Sequence, residues 1–309
     1  MFWPFRRRPP REPERREFDA AAVIRRARRL RFRVRPESVQ RLAGAYHGAR
    51  PGEGLTFAEL RAYEPGDDVR HLDWNVTARQ GRPFVRRYVE ERALVLWLIV
   101  DVSASMRFGR EPRTKADRAA QAAALLATAA VHNGDRVGLL LVSDKIELEI
   151  PAAGGARHLA QIVRALAAAP TTSRGTSLQT ALPRLRRVSR RSMLVVLGDF
   201  LDEPVAPWRR IARRRDVVAV RVVDPLERRL PDVGLLAVRD AETDAVRLVD
   251  TRRGRGRDAY ARRAEERRRG FARWCVATGI DGHDMSTEID PLQTLMDVFE
   301  RRAARRRRP

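Results

Sequence analysis

An α/β fold with a doubly wound, mostly parallel sheet is what this sequence predicts, and three observations predict it. Apolar strand segments alternate with helix-forming segments through residues 93–300, an order that builds a parallel sheet covered by helices on both faces. The run from Leu94 to Val100, LVLWLIV, is continuously apolar, as expected of a strand buried on both sides. That run stops at a carboxylate, Asp101, with the hydroxyls of Ser103 and Ser105 following on alternate residues. In open α/β sheets ligands bind beyond the carboxyl ends of the strands, so the placement of these oxygens matters as much as their identity.

Taken in order, residues 1–39 form a basic, proline- and arginine-rich tail, partly disordered, with a short helix expected at 18–32. Residues 40–92 form a small strand- and turn-rich segment that packs on the core, with a tight turn at Pro65-Gly66 and a strand at 84–90. Within it Arg61, Asp67, Asp68, Arg70, Asp73 and Arg79 supply both signs of charge, a composition that suits an ion-pair network better than a catalytic dyad. Residues 115–132 are alanine- and leucine-rich and predict a helix stopped by Asn133-Gly134-Asp135. A buried strand at 136–143 and an alternating partner at 145–150 read as a hairpin, followed by a helix at 156–169. A further helix is expected at 178–188, capped by the hydroxyl pair Thr176-Ser177. A third apolar strand at 193–197 ends in Gly198-Asp199, and helix and strand repeat at 205–214 and 217–223. The remainder predicts a hairpin at 234–251, a long helix at 257–278, a terminal amphipathic helix at 289–302 and an arginine-rich tail at 301–309.

The chain has 309 residues, 43% hydrophobic and 33% charged, which is globular composition and enough length for a sizeable core. Its single cysteine, Cys275, excludes an internal disulfide and lies among Phe271, Trp274 and Ile280, as a small core residue would. The formal charge is +23, and only Lys115 and Lys145 of the 63 basic residues are lysines. The arginines are spread along the chain without an aromatic platform or zinc-finger spacing, so no specific nucleic-acid site is expected. No apolar run approaches the roughly 20 residues of a membrane span, and no apolar stretch follows Arg6 to Arg8 as a cleaved signal requires. The expected location is the cytoplasm, with weak peripheral contact to anionic membrane at its inner face, through Phe2, Trp3 and Phe5, as a secondary option.

Oxygen donors at Asp101, Ser103, Ser105, Thr176 and Asp199 fall at two strand ends and one helix start that open on the same sheet edge. Such hard ligands suit Mg²⁺, which takes near-octahedral oxygen coordination at about 2.0–2.1 Å. No Walker lysine, Gly-x-Ser-x-Gly or His-Glu-x-x-His signature is present, and the five histidines are scattered.

Asp101-Val-Ser103-Ala-Ser105, Gly175-Thr176 and Gly198-Asp199 resemble the metal-ion-dependent adhesion site (MIDAS) of von Willebrand factor A-like, Rossmann-type domains. The upstream stretch from Gly52-Glu-Gly-Leu-Thr-Phe to Gly66-Asp-Asp-Val-Arg-His-Leu-Asp-Trp and Thr77-Ala-Arg79 resembles the bacterial domain of unknown function numbered fifty-eight, whose members join such a fold to this segment. The resemblance implies that Ser103, Ser105 and Thr176 offer hydroxyls to Mg²⁺ or Mn²⁺, with Asp101 and Asp199 binding directly or through water. It further implies a free coordination position for a partner's carboxylate, and hence a non-enzymatic interaction module. Association with a MoxR-type AAA+ ATPase, as a chaperone-like adaptor for its client proteins, is the implied partnership. Phe200 stands where many A-domains have glycine. The competing expectations are a metal-dependent phosphohydrolase with Asp101 as nucleophile, which lacks a second acid at Ser103, and a basic nucleic-acid binder.

Overall fold

A computed structural model describes residues 42–46, 56–64, 67, 72–89, 94–110, 113–169, 177–201, 203–239, 245–252 and 254–306. The expected helix at 18–32, the turn at Pro65-Gly66, and Asp68, Arg70, Gly175 and Thr176 lie outside these residues.

Six strands form the central sheet, in the order Asp281–Ser286, Asp216–Val223, Met193–Gly198, Val95–Asp101, Arg136–Val142 and Ile146–Ala153. All neighbours pair in parallel except the last two, which are an antiparallel hairpin. The chain builds outward from Val95–Asp101 to one side, then returns to add Met193–Gly198 on its other flank. The mixed α/β class and the mostly parallel sheet are therefore as the sequence predicts, and the reversal of strand order falls at Val95–Asp101.

Side chains of that strand alternate between two cores. Leu96, Leu98 and Val100 join the helices Lys115–His132, Ala156–Ala167 and Pro291–Arg306 on one face. Trp97 and Ile99 join Leu182–Leu185, Val205–Ala212 and Gly254–Thr278 on the other, where Cys275 is buried with Phe271, Trp274 and Ile280. The Trp97 indole lies over its strand neighbour Gly138, where a Cβ would stand 2.7 Å from the ring. Glycine is what lets the large ring lie flat on the sheet.

One expectation needs correction, and one element went unpredicted. Residues 178–188 are not one helix: a 3-10 turn, Leu178–Ala181, precedes a single α-turn, Leu182–Leu185, and Ser177 makes no side-chain cap. Leu178 N–H donates instead to Glu203 Oε1 at 3.1 Å, so a distant carboxylate performs the capping. The edge strand Asp281–Ser286 is absent from the sequence expectations because its sequence, DGHDMS, is polar. An edge strand buries little, and here only Met285 is fully covered.

Upstream, Thr56–Ala62 and Phe84–Val89 pair as a separate antiparallel ribbon. Of the predicted ion pairs, Arg61 Nη2 meets Asp67 Oδ1 at 2.7 Å, whereas Asp73 caps the helix Trp74–Gln80 by accepting from Asn75 and Val76 N–H.

At the amino ends of the edge strand and its neighbour, Arg302 from the terminal helix donates to Asp281 Oδ2 at 2.7 Å and to Asp216 Oδ1 at 2.6 Å. Burial pushes the Asp281 carboxyl up, but His283 and Arg302 outweigh it and hold the group down at about 2. Its folded value thus lies below its unfolded value near 3.8, so Asp281 contributes stability above about pH 4 that is lost as pH falls through 2. Asp281→Asn is expected to remove about 1–2 kcal/mol of the wild-type difference in unfolding free energy between pH 6 and pH 2, allowing for partial exposure. Urea titrations at the two pH values measure it, and equal losses in both proteins would refute the assignment.

Candidate functional site

Val102 N–H donates to Val142 O, extending the ladder one residue past Asp101 before the chain leaves the sheet into the 3-10 turn Ala104–Arg107. That departure turns Asp101, Ser103 and Ser105 over the carboxyl edge. Asp101 Oδ1 accepts from Ser103 N–H at 2.9 Å, which fixes the carboxylate against its own loop. Ser103 Oγ and Ser105 Oγ share a hydrogen bond of 3.1 Å, and Ser105 Oγ donates to Asp199 Oδ2 at 2.7 Å. Residues nearly a hundred apart in sequence thus meet at the strand reversal. Four of the five predicted donors are brought together. Thr176 lies outside the described residues, but its neighbour Ser177 donates its N–H to Ser143 O, just past the end of the strand Arg136–Val142 that flanks Asp101.

Asp101 and Ser103 are buried. Burial, then the charge of Asp199, push the Asp101 carboxyl up to about 7, against the lowering hydrogen bonds of Ser103. Asp101 Oδ2 is buried with no hydrogen-bond partner among the described residues. Gly198 approaches this carboxylate so closely that a Cβ there would stand 3.0 Å from Asp101 Cβ. A side chain before Asp199 would therefore crowd the Asp101 carboxylate.

Phe200 adopts a left-handed backbone, φ 54°, unusual for an aromatic residue. Its ring is buried against Phe271 and Trp274, with centroids 5.1 and 5.5 Å away, and that packing offsets the local strain. The chain keeps the turn that glycine would adopt and gains an anchor for Asp199.

Two further residues stand at this rim that no sequence motif marks. Lys115, the first residue of its helix, is buried with Nζ 3.7 Å from Asp199 Oδ2 and 2.9 Å from Glu227 Oε1. Its rarity among so many arginines is the one signal the sequence offers. Glu203 is the other: Oε1 accepts from Leu178 N–H and Oε2 from Trp208 Nε1 at 2.7 Å, and burial pushes its carboxyl up. No local pattern marks it. Beside the cluster a cavity of about 300 Å³ is lined by Lys115, Asp199, Arg221, Glu227, Arg228 and Arg267, among others.

Among the described residues, no three His, Cys, Asp or Glu side chains gather as metal ligands. The donor set here is two carboxylates with hydroxyls, which is hard-oxygen chemistry. Among the same residues no helix is long and apolar enough to cross a membrane.

Fold and site together define a mixed α/β protein with a mostly parallel sheet and an acid-and-hydroxyl cluster at the strand reversal. The chain belongs to the family described as "Protein of unknown function DUF58", which it matches over residues 59–270. It is 38% identical over 278 residues to "Uncharacterized protein Rv1480" of Mycobacterium tuberculosis, covering 87% of this chain and 86% of that one. The same figures relate it to "Uncharacterized protein Mb1516" of Mycobacterium bovis. Among solved structures it is similar to the conserved hypothetical protein BatB from Bacteroides thetaiotaomicron, with 13% identity, a TM-score of 0.45, and 69% of this chain and 100% of that chain covered. An aerotolerance-related membrane protein from Bacteroides fragilis gives 14% identity and a TM-score of 0.44 with the same coverage.

Proposed function

We propose that this protein is a non-enzymatic interaction module of the von Willebrand factor A type, whose rim cluster holds Mg²⁺, or Mn²⁺ in its place, and presents it to a carboxylate of a partner protein. What supports the reading above all is Asp101: a buried carboxylate with one oxygen left without a partner, beside a second carboxylate that repels it. A cation would satisfy the orphan oxygen and offset the repulsion that Lys115, seated against Asp199, leaves standing. Asp101, Ser103, Ser105 and Asp199 would hold the ion, joined by Thr176 on the strength of the family resemblance. The ion supplies a Lewis-acidic position for an oxygen from outside. The chain's own residues do the rest. Ser103 N–H orients the Asp101 carboxylate, Ser105 ties its loop to Asp199, and Phe200 anchors the Asp199 turn from the core.

The partner proposed is a MoxR-type AAA+ ATPase or its client, met in the cytoplasm, with this protein as adaptor. The phosphohydrolase alternative lacks the second acid that the nucleophile requires, since Ser103 stands in its place. Purification of the native complex in Mg²⁺ and in EDTA tests the proposal. Partner retained in Mg²⁺ and released by EDTA is the expected result, and equal retention in both buffers overturns it.

A further inference from the structure

The structure assigns Lys115 as a resident cation of the rim cluster, a tethered ammonium that balances Asp199 when no divalent ion is bound and competes with that ion for the same carboxylate. This inference rests on the cation reading above and adds to it the residue that sets how tightly a metal is held.

Lysine is among the residues least often buried, and this side chain is only 2% exposed. Its position is imposed by the fold. Thr114 and Asp117 form a capping box that starts the helix at Lys115, and Lys115 N–H donates to Phe108 O, closing the short hairpin that follows the Ser103–Ser105 turn. The ammonium then lies between Asp199 Oδ2 and Glu227 Oε1. Glu227 is itself held, because its Oε2 accepts from Asp224 N–H, and Asp224 Oδ2 accepts from Thr287 Oγ1 at 2.6 Å. Lys115 is thus fixed from behind and directed toward Asp199, the oxygen that also accepts from Ser105. Asp101 has no such counter-charge in hydrogen-bonding contact among the described residues, and its outer oxygen stays unpartnered. One arm of the cluster meets the ammonium directly; the other feels it only at longer range and keeps an unpartnered oxygen. A fixed positive charge beside the site repels a divalent cation, so the wild-type site is tuned to be weaker than its ligand set allows.

The test uses the full chain as wild type, Asp101→Asn, Lys115→Met and Lys115→Met/Asp199→Asn. Mn²⁺ binding is followed by electron paramagnetic resonance, and melting is compared in EDTA and in Mg²⁺. Wild type is expected to bind Mn²⁺ and Asp101→Asn to fail. Lys115→Met is expected to bind on the order of tenfold more tightly. It should also melt several degrees below wild type in EDTA, and Mg²⁺ should restore it. The double variant should recover in EDTA, with no metal needed. Lys115→Met binding Mn²⁺ no better than wild type overturns the inference while leaving the cation reading intact. Mn²⁺ binding by none of the proteins removes the cation reading and the competition together. If Lys115→Met fails to fold in either buffer, the double variant decides. Folding restored in EDTA supports Lys115 as the counter-charge of Asp199, and continued failure overturns it.

Discussion

Asp101→Asn is expected to abolish both Mn²⁺ binding and metal-dependent partner retention, and to leave the metal-free fold at pH 8 no less stable than wild type. The two halves of this result have separate causes. Loss of binding follows because the substitution takes away the ionised oxygen that has no other partner in the protein. Preserved stability follows because that carboxylate is not a structural asset: burial and Asp199 both work against its charge. A neutral isostere keeps the oxygen that accepts from Ser103 N–H and relieves the repulsion. Isothermal titration with Mn²⁺ and urea unfolding in EDTA check the two halves. Retained tight binding, or a drop of several kcal/mol in the unfolding free energy, would each contradict the site as described.

Trp208→Ala is expected to be the most damaging single substitution to the fold itself, at about 3–5 kcal/mol from lost burial and the cavity left behind. Trp208 is fully buried and packs edge-on against Trp274, with ring centroids 6.0 Å apart. Its indole N–H also serves Glu203, a buried carboxylate whose other oxygen caps the turn beginning at Leu178. Trp208→Phe separates the contributions, since it keeps most of the packing but strands Glu203 Oε2, at a cost of about 1–3 kcal/mol. Since domains of this kind are stable by only about 5–15 kcal/mol, the alanine variant forfeits a large share of the total. Urea midpoints for both variants provide the check, and similar small shifts in the two would show that Glu203 is held by something else.

The sheet was legible because its inner strands are buried on both faces and therefore written in unbroken apolar runs, as in Leu94 to Val100 and Met193 to Leu197. The rim carboxylates were legible for the same reason: an apolar run that ends at or next to a carboxylate announces a strand end, and two such runs, ending at Asp101 and Asp199, point to one edge. Asp281–Ser286 was not legible, because an outermost strand with polar residues on both sides carries no periodic signal. The break at Leu178–Leu185 was hidden for a different reason. Its cap comes from Glu203 rather than from the Ser177 hydroxyl, and a pairing across a turn and a strand leaves no local trace. Lys115 and Glu227 illustrate the same limit at the site. Their meaning depends on a contact spanning more than a hundred residues, and only the assembled fold makes it visible.

The clasp of Arg302 on Asp216 and Asp281 has a bearing on how this protein is made. The strand Asp216–Val223 becomes an inner strand only when Asp281–Ser286 lies beside it, and the helix carrying Arg302 is translated later still. Throughout synthesis of the intervening residues, a valine-rich margin of unpaired backbone amides and carbonyls stands open on the nascent chain. Ribosome-bound intermediates halted before residue 281 should therefore recruit general holdase chaperones, and those extended past residue 306 and clear of the exit tunnel should release them.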